Sequence, residues 1–301
     1  MDTTSKSQAL EITTHMHVDT DALIAVTFFC WFHGIPVERV TNELKKMVKL
    51  HFVRAGETGP GENIDTGGGK FDHHQPGREG ECAASLVWEL LPAKLREASR
   101  PLMLLALAQD LGSNIIPAGA GVLKPGNSKL TALPAYIRLT QLPSLIASQR
   151  AIGKTEEEIF WYFWDEFVGL VTLWDRKWRA EKEFKAKAKK LTDHVVFLPD
   201  CLEETIGIAF REGHEAVIFR AVRGEQIIYF LKRTSHGGRP TDLTQLRGWS
   251  GFNGEGPRWH LEAWQASWST PKSPRSRRSQ VEPRALAEAF ETLYQGAELT
   301  A

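Results

Sequence analysis

Cysteine is scarce in this chain. There are three in 301 residues, Cys30, Cys82 and Cys201, far apart, odd in number and with no CxxC pair. That excludes a disulfide framework, favours a reducing compartment, and leaves each thiol to be read as a small buried apolar group. Long hydrophobic runs are also missing. No stretch approaches the eighteen apolar residues of a membrane span, and the polar start, Met1 to Gln8, lacks the charged-then-apolar form of a signal peptide. The expectation is a cytoplasmic protein with no membrane partner. Net charge is absent as well, with 37 Lys+Arg against 37 Asp+Glu. A strongly basic chain would point to long nucleic acid; this balance leaves a small anionic substrate or a short oligonucleotide. No internal repeat is found.

What is present is 42% hydrophobic and 25% charged residues, the composition of a soluble globular protein with length enough for two domains. Leu10–Thr14 reads as a short strand ending at His15. Asp19–Phe32 follows as a helix, with Ala22, Ala25, Val26 and Phe29 at helical spacing. Val37–Met47 reads as a second helix, Lys49–Arg54 as a strand and Asn63–Asp65 as a short extended piece before the glycine loop 67–69. Cys82–Leu91 and Pro101–Gln109 read as apolar helices. This alternation predicts an α/β fold, a mostly parallel sheet flanked by helices.

From Thr155 to Leu191 the pattern is one long helix or two joined ones. Its first half is aromatic and buried, its second half charged and solvated. Past Val195 four short β-like runs, 195–198, 206–210, 216–221 and 227–231, indicate a smaller, strand-rich α+β domain. The expected division is a catalytic domain over 1–150, a helical connector over 151–192 and a substrate-binding domain over 193–301. The last carries a mobile basic segment near 269–283 and a closing helix over 284–294.

The side chains that carry chemistry are concentrated in the first third. Phe71-Asp72-His73-His74-Gln75 places a carboxylate beside two imidazoles. His15-x-x-x-Asp19-x-Asp21 sits on a strand-to-helix turn, where α/β sheets place ligands and a helix N-terminus favours negative charge. Asp65 stands alone after the next extended piece, and Asp110 ends an apolar helix ahead of Leu111-Gly112. Carboxylates suit Mn²⁺ and Mg²⁺, and Mn²⁺ also accepts imidazole. The set is enough for two ions with one carboxylate shared, the arrangement that activates water and neutralises phosphoryl charge in phosphoester hydrolysis.

Taken in order, His15…Asp19-Thr20-Asp21-Ala22, Asp65, Asp72-His73-His74 and Asp110-Leu111-Gly112 resemble the DHH phosphoesterase superfamily. The run Ile64–Gln75 is most similar to the branch called metal-dependent protein hydrolases, which is nuclease-like. The resemblance covers roughly residues 10–115. It implies that His15 and Asp19 hold one metal, that Asp21, His73 and Asp110 hold the other, and that Asp65 bridges them. It implies that His74 faces the substrate phosphate and that Asp72 orients a neighbouring imidazole; these two are the candidate catalytic residues. The implied cofactors are two divalent ions, Mn²⁺ foremost, with Mg²⁺ and Co²⁺ as alternatives.

The chain departs from the family pattern at Thr20, where glycine is common, in the short spacing from Asp65 to Asp72, and in lacking a clean Gly-Gly-Gly-His motif later on. The nearest local candidates are Ser235-His236-Gly237-Gly238-Arg239 and the stretch 251–260. Arg233, His236 and Arg239 are the candidate substrate-binding residues.

Plainer readings stand beside these. The glycines 67–69 suit a tight loop as well as a phosphate cradle. The cations Arg220, Arg223, Lys232 and Arg247 suit a solvated sheet face. Trp249, Trp259, Trp264 and Trp268 suit core packing better than base stacking. His17 is a neighbour of the site rather than a ligand. The reading reached is a metal-dependent phosphodiester hydrolase. Its partner is a short RNA or DNA, or a dinucleotide messenger, and a homodimer is compatible with it. A pyrophosphatase and a non-catalytic nucleotide- or metal-binding protein are the alternatives.

Overall fold

The computed structural model describes residues 9–110, 141–223, 226–234, 241–252, 259–268 and 279–296. The chain forms two compact units, Met1–Asp175 and Arg176–Ala301.

The first unit is built on a parallel sheet of order β2-β1-β3, with β1 at Leu10–His15, β2 at Val48–Val53 and β3 at Glu62–Asn63. Helix α1, Thr20–Phe32, follows β1, with Asp19 as its N-cap accepting from the Ala22 N–H at 2.9 Å. Every residue from Thr20 to Trp31 is buried. A helix buried on all sides is the centre of a core rather than its cover. Helices α2 (Asn42–Met47), α3 (Ala83–Trp88), α4 (Ala93–Asp110) and α5 (Leu142–Ala151) complete the described elements around it. Helix α6, Glu156–Lys187, opens with three glutamates and supplies Phe160, Phe163, Trp164 and Phe167 to the same core.

Two local readings of this half need correction. The helix expected from Val37 begins only at Asn42, because Val40 N–H is bound by Asp165 at 2.6 Å and Glu38 C=O accepts from the Trp164 indole at 2.8 Å. Those tertiary bonds hold the segment out of the helix until Thr41 caps it. Conversely, α4 starts at Ala93 and runs through Pro101 rather than starting there.

The second unit is a mixed six-stranded sheet of order β4-β5-β6-β7-β9-β8. Its strands are β4 (Lys189–Lys190), β5 (Val195–Pro199), β6 (Ala216–Arg223), β7 (Gln226–Arg233), β8 (His260–Glu262) and β9 (Gln265–Ser267). Alternation along β5 and β6 splits two cores. Val195, Phe197, Ala216 and Ile218 join Leu286 and Phe290 of the helix Pro283–Tyr294. Val196, Leu198, Val217 and Phe219 face the other way, with Phe210. The run 206–210, read as a strand, is part of helix α7, Glu204–Arg211, which leaves Pro283–Tyr294 as α8. Thr205, Ile208 and Ala209 are the buried stripe of α7 at helical spacing, so the helical period outweighs the two isoleucines.

The fold is therefore α/β, a small parallel-sheet unit with helices plus a strand-rich α+β unit. No described helix is long and apolar enough to cross a membrane. All three cysteines are buried and none forms a disulfide.

Candidate metal centre

The carboxyl end of β1 delivers His15, and the turn after it delivers Asp19 and Asp21 at the head of α1. Asp65 follows Ile64, whose N–H bonds Thr13 C=O beside β1. Its backbone lies in the left-handed region, at φ 57°. The loop behind it has little freedom. At Gly67 (φ 71°) a Cβ would come within 2.8 Å of Thr58 Cγ2 and 3.0 Å of Glu57 O, so the first glycine of the run is needed for close packing. The run also holds the motif that follows: Gly68 N–H donates to Asp72 Oδ2 at 2.8 Å, and the Gln75 side chain donates to Gly69 C=O at 2.7 Å. Asp110 is the last residue of α4.

These side chains converge. His15 Nε2 is 3.1 Å from Asp65 Oδ2, and His73 Nδ1 is 3.2 Å from Asp65 Oδ1, so one carboxylate presents an oxygen to each imidazole. His73 Nε2 is 3.1 Å from Asp110 Oδ2, and its Nδ1 is 3.6 Å from Asp21 Oδ2. Ligand atoms of His15, Asp19 and Asp65 lie within 4.8 Å of one another, as do those of Asp21, His73 and Asp110. A further overlapping group joins Asp65, Asp72, His73 and His74. Asp72 Oδ1 accepts from the His74 backbone N–H at 3.0 Å and sits 2.9 Å from His74 Nδ1. The His74 side chain itself is two-thirds exposed.

The electrostatics are those of a site built around positive charge. Asp21 and Asp65 are almost fully buried. Burial first, then the negative charge of Asp65, raises the Asp21 carboxyl to about 7, even though it accepts from the Ala83 and Ala84 N–H groups at 2.7 and 2.8 Å. Burial raises Asp19 as well. Burial also works against the Asp65 carboxylate, but the two imidazoles beside it hold its pKa below the usual carboxylate value.

The imidazoles answer in kind. The hydrogen bond to Asp65 lifts His15 to about 9, and Asp110 with Asp65 lifts His73 to about 10. Metal-free, both are imidazolium at neutral pH and partly neutralise the carboxylates. The compensation is incomplete. Asp65 Oδ1 and His73 Nδ1 are 3.2 Å apart yet misaligned, and neither has a hydrogen-bond partner although both atoms are buried. Buried polar atoms without partners are costly. A divalent cation between these oxygens and nitrogens would satisfy them, so the donor set fits carboxylate-plus-imidazole ions of the Mn²⁺ type.

A cavity of about 300 Å³ adjoins the cluster, lined by Asp19, Asp21 and Asp110 together with His17, Gln109 and Arg150. Arg150 and Glu156, which flank this side of the unit, were invisible to motif reading. They lie more than 130 residues from the turn they touch, and no local spacing links them to it.

In the strand-rich unit, Arg233 donates from Nε to Ala263 C=O at 3.0 Å and from Nη1 to Thr234 C=O at 3.1 Å. His236 and Arg239 lie outside the described residues, as does most of the basic segment. Trp249, Trp259 and Trp268 pack in the core, while Trp264 is exposed with Lys232 5.3 Å over its ring.

Fold and side chains together define an α/β protein with a buried aspartate–histidine cluster suited to divalent metal. Its motif order is that in which the chain resembles the DHH phosphoesterase superfamily. No protein-family model matches the chain, and no curated protein does. Among solved structures, it is similar to PggH, a pGpG-specific phosphodiesterase from Vibrio cholerae, at 13% identity, covering 95% of this chain and 98% of that one with a TM-score of 0.29. It is also similar to RecJ of Thermus thermophilus in complex with Mn²⁺, at 15% identity, 97% and 53% coverage and a TM-score of 0.26. An exopolyphosphatase-related protein from Bacteroides fragilis is similar at 12% identity, 97% and 93% coverage and a TM-score of 0.26.

Proposed function

We propose that the protein is a metal-dependent phosphoesterase that hydrolyses a phosphodiester in a short oligonucleotide or a nucleotide messenger. The observation that carries this is the Asp65 carboxylate, one oxygen toward His15 and the other toward His73, between two ligand groups. His15 and Asp19 would hold one ion and Asp21, His73 and Asp110 the other, with Asp65 shared. Two such ions supply an acidified water and neutralise the phosphoryl oxygens.

The chain's own residues do the rest. With Asp72 accepting from Nδ1–H, the exposed His74 keeps its Nε2 side for substrate. The Asp72 carboxylate, 2.9 Å from Nδ1, fixes the ring's orientation so that this edge faces a phosphoryl oxygen. Asp21, tied to two backbone N–H groups at the head of α3, is held in place before any ion arrives. In the second unit, Arg233, His236 and Arg239 are proposed to hold substrate phosphates. Two of the Arg233 nitrogens are spent on carbonyls, so its part falls to Nη2.

The test is metal content of the purified chain together with a turnover screen under Mn²⁺, Mg²⁺ and Co²⁺. The expected result is cleavage of a 5′-pApA-type dinucleotide or short single strand, with no phosphate released from pyrophosphate. Release from pyrophosphate alone would transfer the protein to the pyrophosphatase reading. Tight nucleotide binding with no turnover under any of the three metals would make it a binding protein.

A further inference from the structure

Between His15 and Asp19 the chain bends at Met16 and His17. His17 sits at φ 60°, in the left-handed region that residues with a Cβ avoid. Such a conformation persists where the surroundings impose it. On one side of the turn, Met16 N–H donates to Val53 C=O at 2.6 Å. On the other, Val18 is gripped through both its peptide groups. Its N–H donates to Glu156 Oε2 at 3.0 Å, and its C=O accepts from Arg150 Nη2 at 3.2 Å. Arg150 and Glu156 are themselves joined in a two-point fork, Nε to Oε1 at 2.7 Å and Nη2 to Oε2 at 2.9 Å. A planar guanidinium against a carboxylate is the stiffest ion pair available to side chains.

Only a short stretch of sequence separates the two members of the pair. Among the described residues, the side-chain hydrogen bonds they make beyond it both go to Val18. A clip serving general stability would spread its bonds; this one spends them on the single residue before Asp19. Arg150 also lines the cavity shared with Asp19, Asp21 and Asp110, so the clip lies at the edge of the cluster itself.

We propose that the Arg150–Glu156 pair is a positioning device for the His15/Asp19/Asp65 group. It holds the His17 turn in its left-handed form, fixes the spacing of His15 and Asp19, and thereby sets the divalent-cation affinity of that group alone. This rests on reading the cluster as a metal centre. Neither residue touches the cation or the substrate in this role.

The experiment is calorimetric titration of the full metal-free chain with Mn²⁺, without substrate. Wild type is expected to take two ions. Arg150→Ala should weaken one of them about tenfold or more and leave the other within about twofold. Glu156→Gln, which keeps an acceptor for Val18 N–H, should weaken the same ion by about threefold and covers the case in which Arg150→Ala fails to fold. Adding His17→Gly to Arg150→Ala should recover at least half of the loss on a logarithmic scale, since glycine adopts the turn unaided.

A folded Arg150→Ala or Glu156→Gln with both affinities unchanged would overturn the proposal. So would an equal fall in both affinities that His17→Gly does not restore, which is the pattern of general loosening. A wild type that binds no Mn²⁺ would instead remove the metal reading, a result distinct from either.

Discussion

The two units hold similar side chains and use them in opposite ways. In the strand-rich unit several titratable groups are spent on one another or on backbone. His194 Nδ1 meets Glu291 Oε2 at 2.8 Å, Arg284 bonds Glu288 and the Leu191 carbonyl, and Arg233 bonds two carbonyls. In the parallel-sheet unit, five aspartates and three histidines crowd into one place and still leave Asp65 Oδ1 and His73 Nδ1 without a hydrogen bond. Histidine beside carboxylate is common to both. What marks a functional site is the convergence that its own members cannot satisfy.

The sharpest way to break the contrast is to remove the shared carboxylate. Asp65→Ala is expected to lower phosphodiester turnover by roughly 10³-fold or more and to reduce Mn²⁺ stoichiometry, with circular dichroism unchanged. Wild-type turnover by the metal-loaded variant would end the assignment.

A smaller effect concerns protons. His15 and His73, raised to about 9 and about 10, must each lose a proton before a cation can take its place. Mn²⁺ affinity should therefore rise with pH from the ordinary histidine range up to about 9, by about tenfold per pH unit for each proton displaced. Titration in buffers of different ionisation enthalpy should show proton release on binding. The sign for the metal-free fold is the reverse. Raised histidine pKa values stabilise it fully below their unfolded value and lose that contribution as pH climbs through about 9–10. Metal-free protein should thus melt lower at about pH 10 than at about pH 6, and loaded protein should lose less over that range.

The smallest effect belongs to the other unit. His194→Ala breaks a partly exposed pair and should cost roughly 0.5 kcal/mol in chemical denaturation, with Mn²⁺ binding unaltered. A change in metal affinity there would erase the distinction between the units.

Much of the first unit was legible because its chemistry and periodicity are local. A strand ending at His15 and an apolar helix with aspartate near its start follow directly from adjacent residues, and the order of carboxylates and imidazoles points to a shared centre. Where reading went astray, distant groups were in control. Val37–Val40 stays out of the helix because Asp165 and Trp164 bind its backbone. Glu204–Arg211 is a helix because its buried stripe, not its β-branched content, decides. The Arg150–Glu156 grip on Val18 leaves no trace in sequence at all, since an arginine and a glutamate six residues apart look like any surface pair.

The left-handed backbone at Asp65 has a practical consequence. Aspartate and asparagine are the side chains that best tolerate such a conformation, and they share a shape. Asparagine at this position therefore keeps the contour of the pocket while surrendering the negative charge. Asp65→Asn is the natural bait: an inert copy able to grip an intact molecule from a cell extract long enough for mass spectrometry to identify it.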